Sequence, residues 1–167
     1  IKHADNYYMI PESLENKTIE IYKCVLFPYK WEFHKNLMED IKAVDTTVFY
    51  HNKMWWLFTN LIENKGGSSH DELFLFYSNE LLSNKWISHP MNPIVSDVRT
   101  SRPAGNIFTA GDRIIRPSQD SSKRYGYGIN LNEILILNKE KYLEKKINFI
   151  DPKWDNDILG THTINHV

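Results

Sequence analysis

The sequence predicts an all-β fold assembled from propeller-type blades, and three observations predict it. Its apolar segments are short, rich in β-branched and aromatic residues and separated by polar turns, which is the pattern of strands. Aromatic residues are abundant, with five Trp and nine Tyr, and flat side chains suit a pleated surface. The order of the segments then repeats with a period of roughly fifty residues, close to the length of a four-stranded blade.

The elements follow in order. Tyr7-Tyr8-Met9-Ile10 reads as a strand ended by Pro11, and Thr18-Ile19-Glu20-Ile21-Tyr22 alternates with period two. Phe27-Pro28 and Trp31 close that unit. Thr46 to Tyr50, the turn His51-Asn52-Lys53, and Met54 to Phe58 form a hairpin. The loop from Asn64 to Ser69 leads to a strand at Leu73 to Tyr77, followed by Trp86 and Ile87. A second hairpin pairs Ala104 to Phe108 with Arg113 to Arg116 across Thr109-Ala110-Gly111-Asp112. Glu133 to Leu137 and Lys146 to Ile150 supply two more strands, and Lys139 to Glu144 offers room for one short helical turn.

The repeat fixes the architecture. Ile21-Tyr22-Lys23 followed by Trp31 is echoed by Phe76-Tyr77-Ser78 followed by Trp86, and Phe49-turn-Met54 by Phe108-turn-Arg113. Trp31 and Trp86, at matching places, read as packing residues. The units run over 1–43, 44–98 and 99–167, about three to three and a half blades in a single partial domain. Propellers use about four to eight, so the ring is expected to be completed upstream, with His162 to Val167 as a finishing strand.

Composition removes several classes of function. The net charge of −1 argues against a bulk electrostatic partner such as nucleic acid. No apolar run approaches the ~20 residues of a membrane helix, and no signal peptide is visible. Cys24 is the one cysteine, so neither an internal disulfide nor a thiolate metal cluster is expected. It also favours a cytoplasmic location. Seven scattered histidines show no zinc-site spacing. No metal or cofactor is expected.

Several segments together resemble one family. They are Tyr7 to Ser13, Val44 to Phe49 with Trp55-Trp56-Leu57-Phe58, Arg102-Pro103-Ala104-Gly105, Arg116 to Asp120, Arg124-Tyr125-Gly126-Tyr127, Leu131 to Ile134 and Gly160 to Asn165. The family is the N-terminal domain of glucosamine inositolphosphorylceramide transferases, here expected as a bacterial homologue lacking its first blade. More distantly the chain is similar to the five-bladed propellers of family 43 glycoside hydrolases. The resemblance implies a five-bladed fold and carbohydrate biology. It places sugar transfer itself in a neighbouring glycosyltransferase domain.

Residues at the starts of innermost strands crowd the mouth of a propeller's channel. Asp45 is expected at such a start, Arg102 at the corresponding place in the next unit, and Thr161-His162 in the last. Glycosidic cleavage needs two carboxyl groups, ~5–5.5 Å apart for retention or ~6.5–9.5 Å for inversion. Asp45 and Glu12 are the first pair, with Asp120 as substitute. Against them stand an Asx turn at Asp45, a solvated loop carboxylate at Glu12 and a turn-organising role for Asp120 before Ser121-Ser122.

Arg99, Arg102, Arg116 and Arg124 are rigid donor forks suited to a sugar phosphate or acidic sugar, or else to ion pairs that hold loops. Tyr125 and Tyr127 offer faces for pyranose rings. Trp55 and Trp56 point to opposite sides of their strand, so both cannot line one surface. His162 is a channel residue or a weak acid/base. The expected function is glycan or sugar-phosphate binding at the channel mouth with hydrolysis or assisted transfer. The alternative is a non-catalytic sugar-recognition scaffold beside a transferase.

Overall fold

The computed structural model describes residues 1–63 and 67–165. Within them every extended segment belongs to antiparallel sheets, and helix is confined to two 3-10 turns, Leu14–Asn16 and Pro152–Trp154. The loop expected at 64–69 is described only from Gly67 onward; 64–66 lie outside the described residues, as do 166 and 167 at the end of the expected last strand.

Three sheets follow one another along the chain. The first holds β1 (Lys2–His3), β2 (Asn6–Met9), β3 (Thr18–Leu26) and β4 (Lys30–Glu39) in sequential order. The second holds β5 (Ala43–His51), β6 (Met54–Leu61), β7 (Glu72–Ser78) and β8 (Ile87–Ser88), with β9 (Val95–Ser96) also pairing β7. The third holds β10 (Phe108–Ala110), β11 (Arg113–Asp120), β12 (Gly128–Leu137) and β13 (Tyr142–Ile150). Sequential antiparallel order needs only short connections. Asn52 and Lys53, at φ 51° and 61°, make the tight β5–β6 turn, and Gly111 at φ 60° serves β10–β11.

The differences from expectation have local causes. Strand β4 was hidden by Phe27-Pro28 and by a run of charges and aromatics; its exposed face leaves no clean alternation. The third sheet's first strand begins at Phe108, not Ala104, yet residues 102–104 still bond to β11 through Ala104 N–H to the Pro117 carbonyl and Gln119 N–H to the Arg102 carbonyl. Instead of a helical turn at 139–144, Asn138 Oδ1 accepts from the N–H groups of Glu140 and Lys141, and β13 starts at Tyr142. Residues 162–165 form no strand, although Ile164 N–H reaches the Ala104 carbonyl. The matched tryptophans use one device: each indole N–H donates to the carbonyl three residues earlier, Trp31 to Pro28 and Trp86 to Ser83.

The core is two layers on either side of the second sheet. Trp55 and Leu57 of β6 join Ile19, Ile21 and Leu37 of the first sheet. Met54, Trp56 and Phe58 turn the other way and meet Ile107, Ile134, Leu137 and Tyr142 of the third unit. The period-two alternation of one strand thus ties three sheets side by side, each burying a face on its neighbour.

Candidate functional site

The site begins with an irregularity in β5. Val44 pairs with Asn60 and Thr47 with Phe58, so Asp45 and Thr46 together face Thr59 alone. This β-bulge puts Asp45 at φ 51°, a left-handed conformation that Asp adopts more readily than most residues. Bulges re-aim side chains, and here the carboxylate leaves the sheet. Thr59, fully buried, secures the bulge by donating to the Val44 carbonyl and meeting Thr46 Oγ1 at 2.9 Å.

All three sheets contribute to what surrounds Asp45. From the first, Glu12 Oε2 accepts the Asp45 N–H at 3.1 Å, while its other oxygen accepts the Leu14 N–H at 3.3 Å. From the third, Arg102 Nε donates to Asp45 Oδ2 at 2.5 Å and Gln119 Nε2 to the same oxygen at 3.3 Å. Arg102 is nearly buried, and its Nη1 donates to Ser69 Oγ and to His70 Nδ1. Its guanidinium carbon lies 4.8 Å from the Tyr125 ring centre, a cation–π contact. Half-exposed Tyr125 bonds through its hydroxyl to His162 Nε2 at 2.6 Å.

A pocket of about 210 Å3 opens where these units meet, lined by Glu12, Asp45, Thr47, Pro103, Gln119 and Thr163 among others. The tail that brings Thr163 there is seated closely. A Cβ on Gly105, whose φ is +118°, would stand 2.0 Å from the Ile164 carbonyl oxygen, and one on Gly160 would stand 2.4 Å from that of Gly126. Only glycine lets the backbones approach in this way.

His70 gives the cluster a pH dependence. Because Arg102 can only donate, His70 Nδ1 must accept, which requires the neutral ring. Burial, and then the Arg102 charge, holds the His70 pKa below its ordinary 6.5, against smaller opposing pulls from Asp71 and Asp45. The folded protein therefore binds this proton less readily than the unfolded chain. The stabilisation is complete above about pH 6.5 and is lost as pH falls below it. The unfolding midpoint is expected to drop from pH 7 to pH 5 more steeply in the native chain than in His70→Asn. Parallel profiles would show that His70 is not the responsible group.

The remaining candidates lie elsewhere. Asp120 accepts from Ser122 N–H and Oγ in an Asx-type turn. Arg99 is exposed and forks onto Asp97. Arg116, 1% exposed, forks onto Glu144. Arg124 lies over the ring of buried Tyr127, 5.0 Å from its centre. The four arginines therefore do not converge, because three have their own carboxylates, and none of the four lines the pocket. Trp55 and Trp56 are both buried in the core layers. Gln119, Ser69 and His70 were not anticipated. Gln119 had one signal: by alternation along β11 it faces away from Arg116 and Ser118. Among the described residues no three His, Cys, Asp or Glu side chains are grouped to hold a metal ion, and no helix is long and apolar enough to cross a membrane.

The fold defines a class. The structure is similar to the exo-β-1,3-galactanase of Phanerochaete chrysosporium solved with β-1,3-galactotriose, at a TM-score of 0.63 and 7% identity, over 90% of this chain and 37% of that one. The protein is thus an all-β domain sharing its sheet arrangement with part of a glycosidase. Its family is narrower: the N-terminal part of glucosamine inositolphosphorylceramide transferase 1 matches residues 1–157, and the chain belongs to that family. The Oryza sativa subsp. japonica transferase is 32% identical over 149 residues, 88% of this chain and 20% of the relative. That of Arabidopsis thaliana is 31% identical over 144 residues, 85% of this chain and 19% of the relative. The chain spans about a fifth of the curated relatives it matches. These are plant proteins, so the expected bacterial origin finds no support in them.

Proposed function

We propose that this domain binds the end of a glycan in the pocket at Asp45, the three sheets being blades of a five-bladed ring and the pocket lying at its channel mouth. The observation that carries the reading is convergence. Side chains from all three sheets meet around one bulged carboxylate, in a polar pocket with the exposed face of Tyr125 nearby. At about 210 Å3 the space is smaller than the ~300–1,000 Å3 of drug-sized sites and suits one sugar ring rather than a long chain. The galactanase is named for action on a β-1,3-linked galactan, and the plant relatives are named glucosamine inositolphosphorylceramide transferases. Both are consistent with a sugar ligand. Since the relatives are more than four times as long, the transfer step is assigned to a neighbouring domain, with this one holding the sugar.

A second reading, hydrolysis of the bound glycan, rests on Glu12 and Asp45 lining the same pocket. The binding reading is preferred because both carboxylates already accept hydrogen bonds from the protein, an arrangement that holds groups rather than delivers protons. Titration calorimetry with β-1,3-galactotriose and related neutral oligosaccharides, followed by an assay for new reducing ends, separates the two. Saturable binding without new reducing ends is expected. Asp45→Asn should weaken it at least about tenfold, since hydrogen bonds to a charged partner are worth ~1.5–3 kcal/mol. New reducing ends that vanish in Asp45→Asn would establish hydrolysis. If no sugar binds, the carbohydrate reading falls.

A further inference from the structure

The pocket's polar wall is made of acceptors. Glu12 and Asp45 present carboxylates, and among the described residues lining the space there is no Lys, Arg or His. Arg102 is engaged on the far side of Asp45, with its donors on Asp45, Ser69 and His70. The threonine hydroxyls each have a protein partner: Thr46 meets Thr59, Thr47 reaches the Asp45 carbonyl and Thr163 meets His162.

Gln119 completes the wall. It is 1% exposed, and its Nε2 donates to Asp45 Oδ2 and, at 3.2 Å, to the Pro103 carbonyl. Both neighbours are pure acceptors, so the carboxamide has one workable orientation. Reversing it would set Oε1 against a carboxylate and a carbonyl. Oε1 is thereby directed away from them, and it has no hydrogen-bond partner among the described residues although it is buried. The amide therefore offers the pocket neither a free donor nor an accessible acceptor.

We infer that the pocket selects a ligand that donates hydrogen bonds and carries no negative charge, a neutral or amino-bearing sugar ring, with the lining carboxylates of Glu12 and Asp45 as its acceptors. This rests on the carbohydrate reading and makes it more specific: acidic sugars and sugar phosphates are refused. The reason is charge. A carboxylate or phosphate entering the space would meet Glu12 and Asp45 with no uncommitted cation lining it, and like charges brought together in an interface cost several kcal/mol.

The test is a titration panel on the chain: the methyl glycosides of a neutral hexose, the 2-amino hexose and the hexuronic acid, and the hexose 6-phosphate, all at low salt. The neutral and amino glycosides are expected to bind, and the uronoside and phosphate at least about tenfold more weakly. Tighter binding of the amino glycoside, reversed by added salt, would identify an ammonium as the preferred donor; equal binding would identify hydroxyls. Glu12→Gln, which removes one lining carboxylate and keeps its shape, should narrow the gap between the neutral glycoside and the uronoside several-fold. Its unfolding midpoint, measured alongside, shows whether the fold is kept. Should the uronoside or phosphate bind as well as the neutral ring, this inference is overturned while the carbohydrate reading stands. If no member of the panel binds, both are overturned.

Discussion

Arg116→Met is expected to lower the unfolding free energy by about 3–5 kcal/mol, the usual cost of removing one partner from a buried ion pair. Arg116 is 1% exposed and grips Glu144 with two donors, at 2.7 and 2.6 Å, while another bond reaches the Thr100 carbonyl. Burial is the largest influence and opposes its charge, but the Glu144 carboxylate and the Tyr142 hydroxyl together outweigh it and leave the guanidinium more firmly protonated than in water. Tyr142, its phenol pushed up by burial and then by Glu144, stays protonated and donates to the same carboxylate. Take away the guanidinium and Glu144 is left as a charge with little water and one neutral donor.

The cost lies in the orphaned carboxylate, so the double variant Arg116→Met/Glu144→Met should recover most of the loss. Urea denaturation of the native chain and both variants measures it. A single variant within about 1 kcal/mol of the native chain would mean that the pair is solvated and replaceable. Because the pair lies apart from the pocket, sugar binding measured well below the unfolding midpoint should not change. That separates its role from the substrate-binding one its residue type had suggested.

Much of the fold was legible because local signals agree with tertiary demand. Met54 to Phe58 is apolar throughout, and it lies in a strand buried on both faces, between two other sheets. Strand β4 was missed for the opposite reason, since it covers only one face and carries Lys30, Glu32 and His34 in solvent. The site was legible in residue type and not in partnership. Asp45 stands out as a carboxylate within a strand run, but that it bulges depends on Thr59, fourteen residues away, and that it is paired depends on Arg102. Which arginine meets which carboxylate is a matter of sheet faces. Arg116 and Gln119, three residues apart in β11, belong to a buried ion pair and to the pocket respectively. Gln119 carries no charge and no motif, and only the acceptors packed against its amide give it meaning.

Trp56→Ala should cost about 3–5 kcal/mol, as large aromatic truncations in a core do. Trp56 is 2% exposed, donates its indole N–H to the His51 carbonyl and packs with Phe58, Ile134 and Leu137 between the second and third sheets. Trp55, one residue earlier, faces the first sheet and contacts His3 and Tyr50 instead. The two substitutions remove similar areas from opposite layers, so they should loosen different neighbours. Hydrogen exchange followed by amide should show Trp56→Ala lowering protection mainly in β10–β13, and Trp55→Ala mainly in β1–β4. The pocket makes the contrast functional. Arg102 and Gln119 reach Asp45 from the third unit and Glu12 from the first. Loosening the third sheet removes the ion pair and the amide, whereas loosening the first removes only the bond from the Asp45 backbone. Trp56→Ala should therefore weaken ligand binding more than Trp55→Ala at equal loss of stability. Uniform loss of protection in both variants would instead mean that the three sheets open as one cooperative unit, and that neither layer can be relaxed alone.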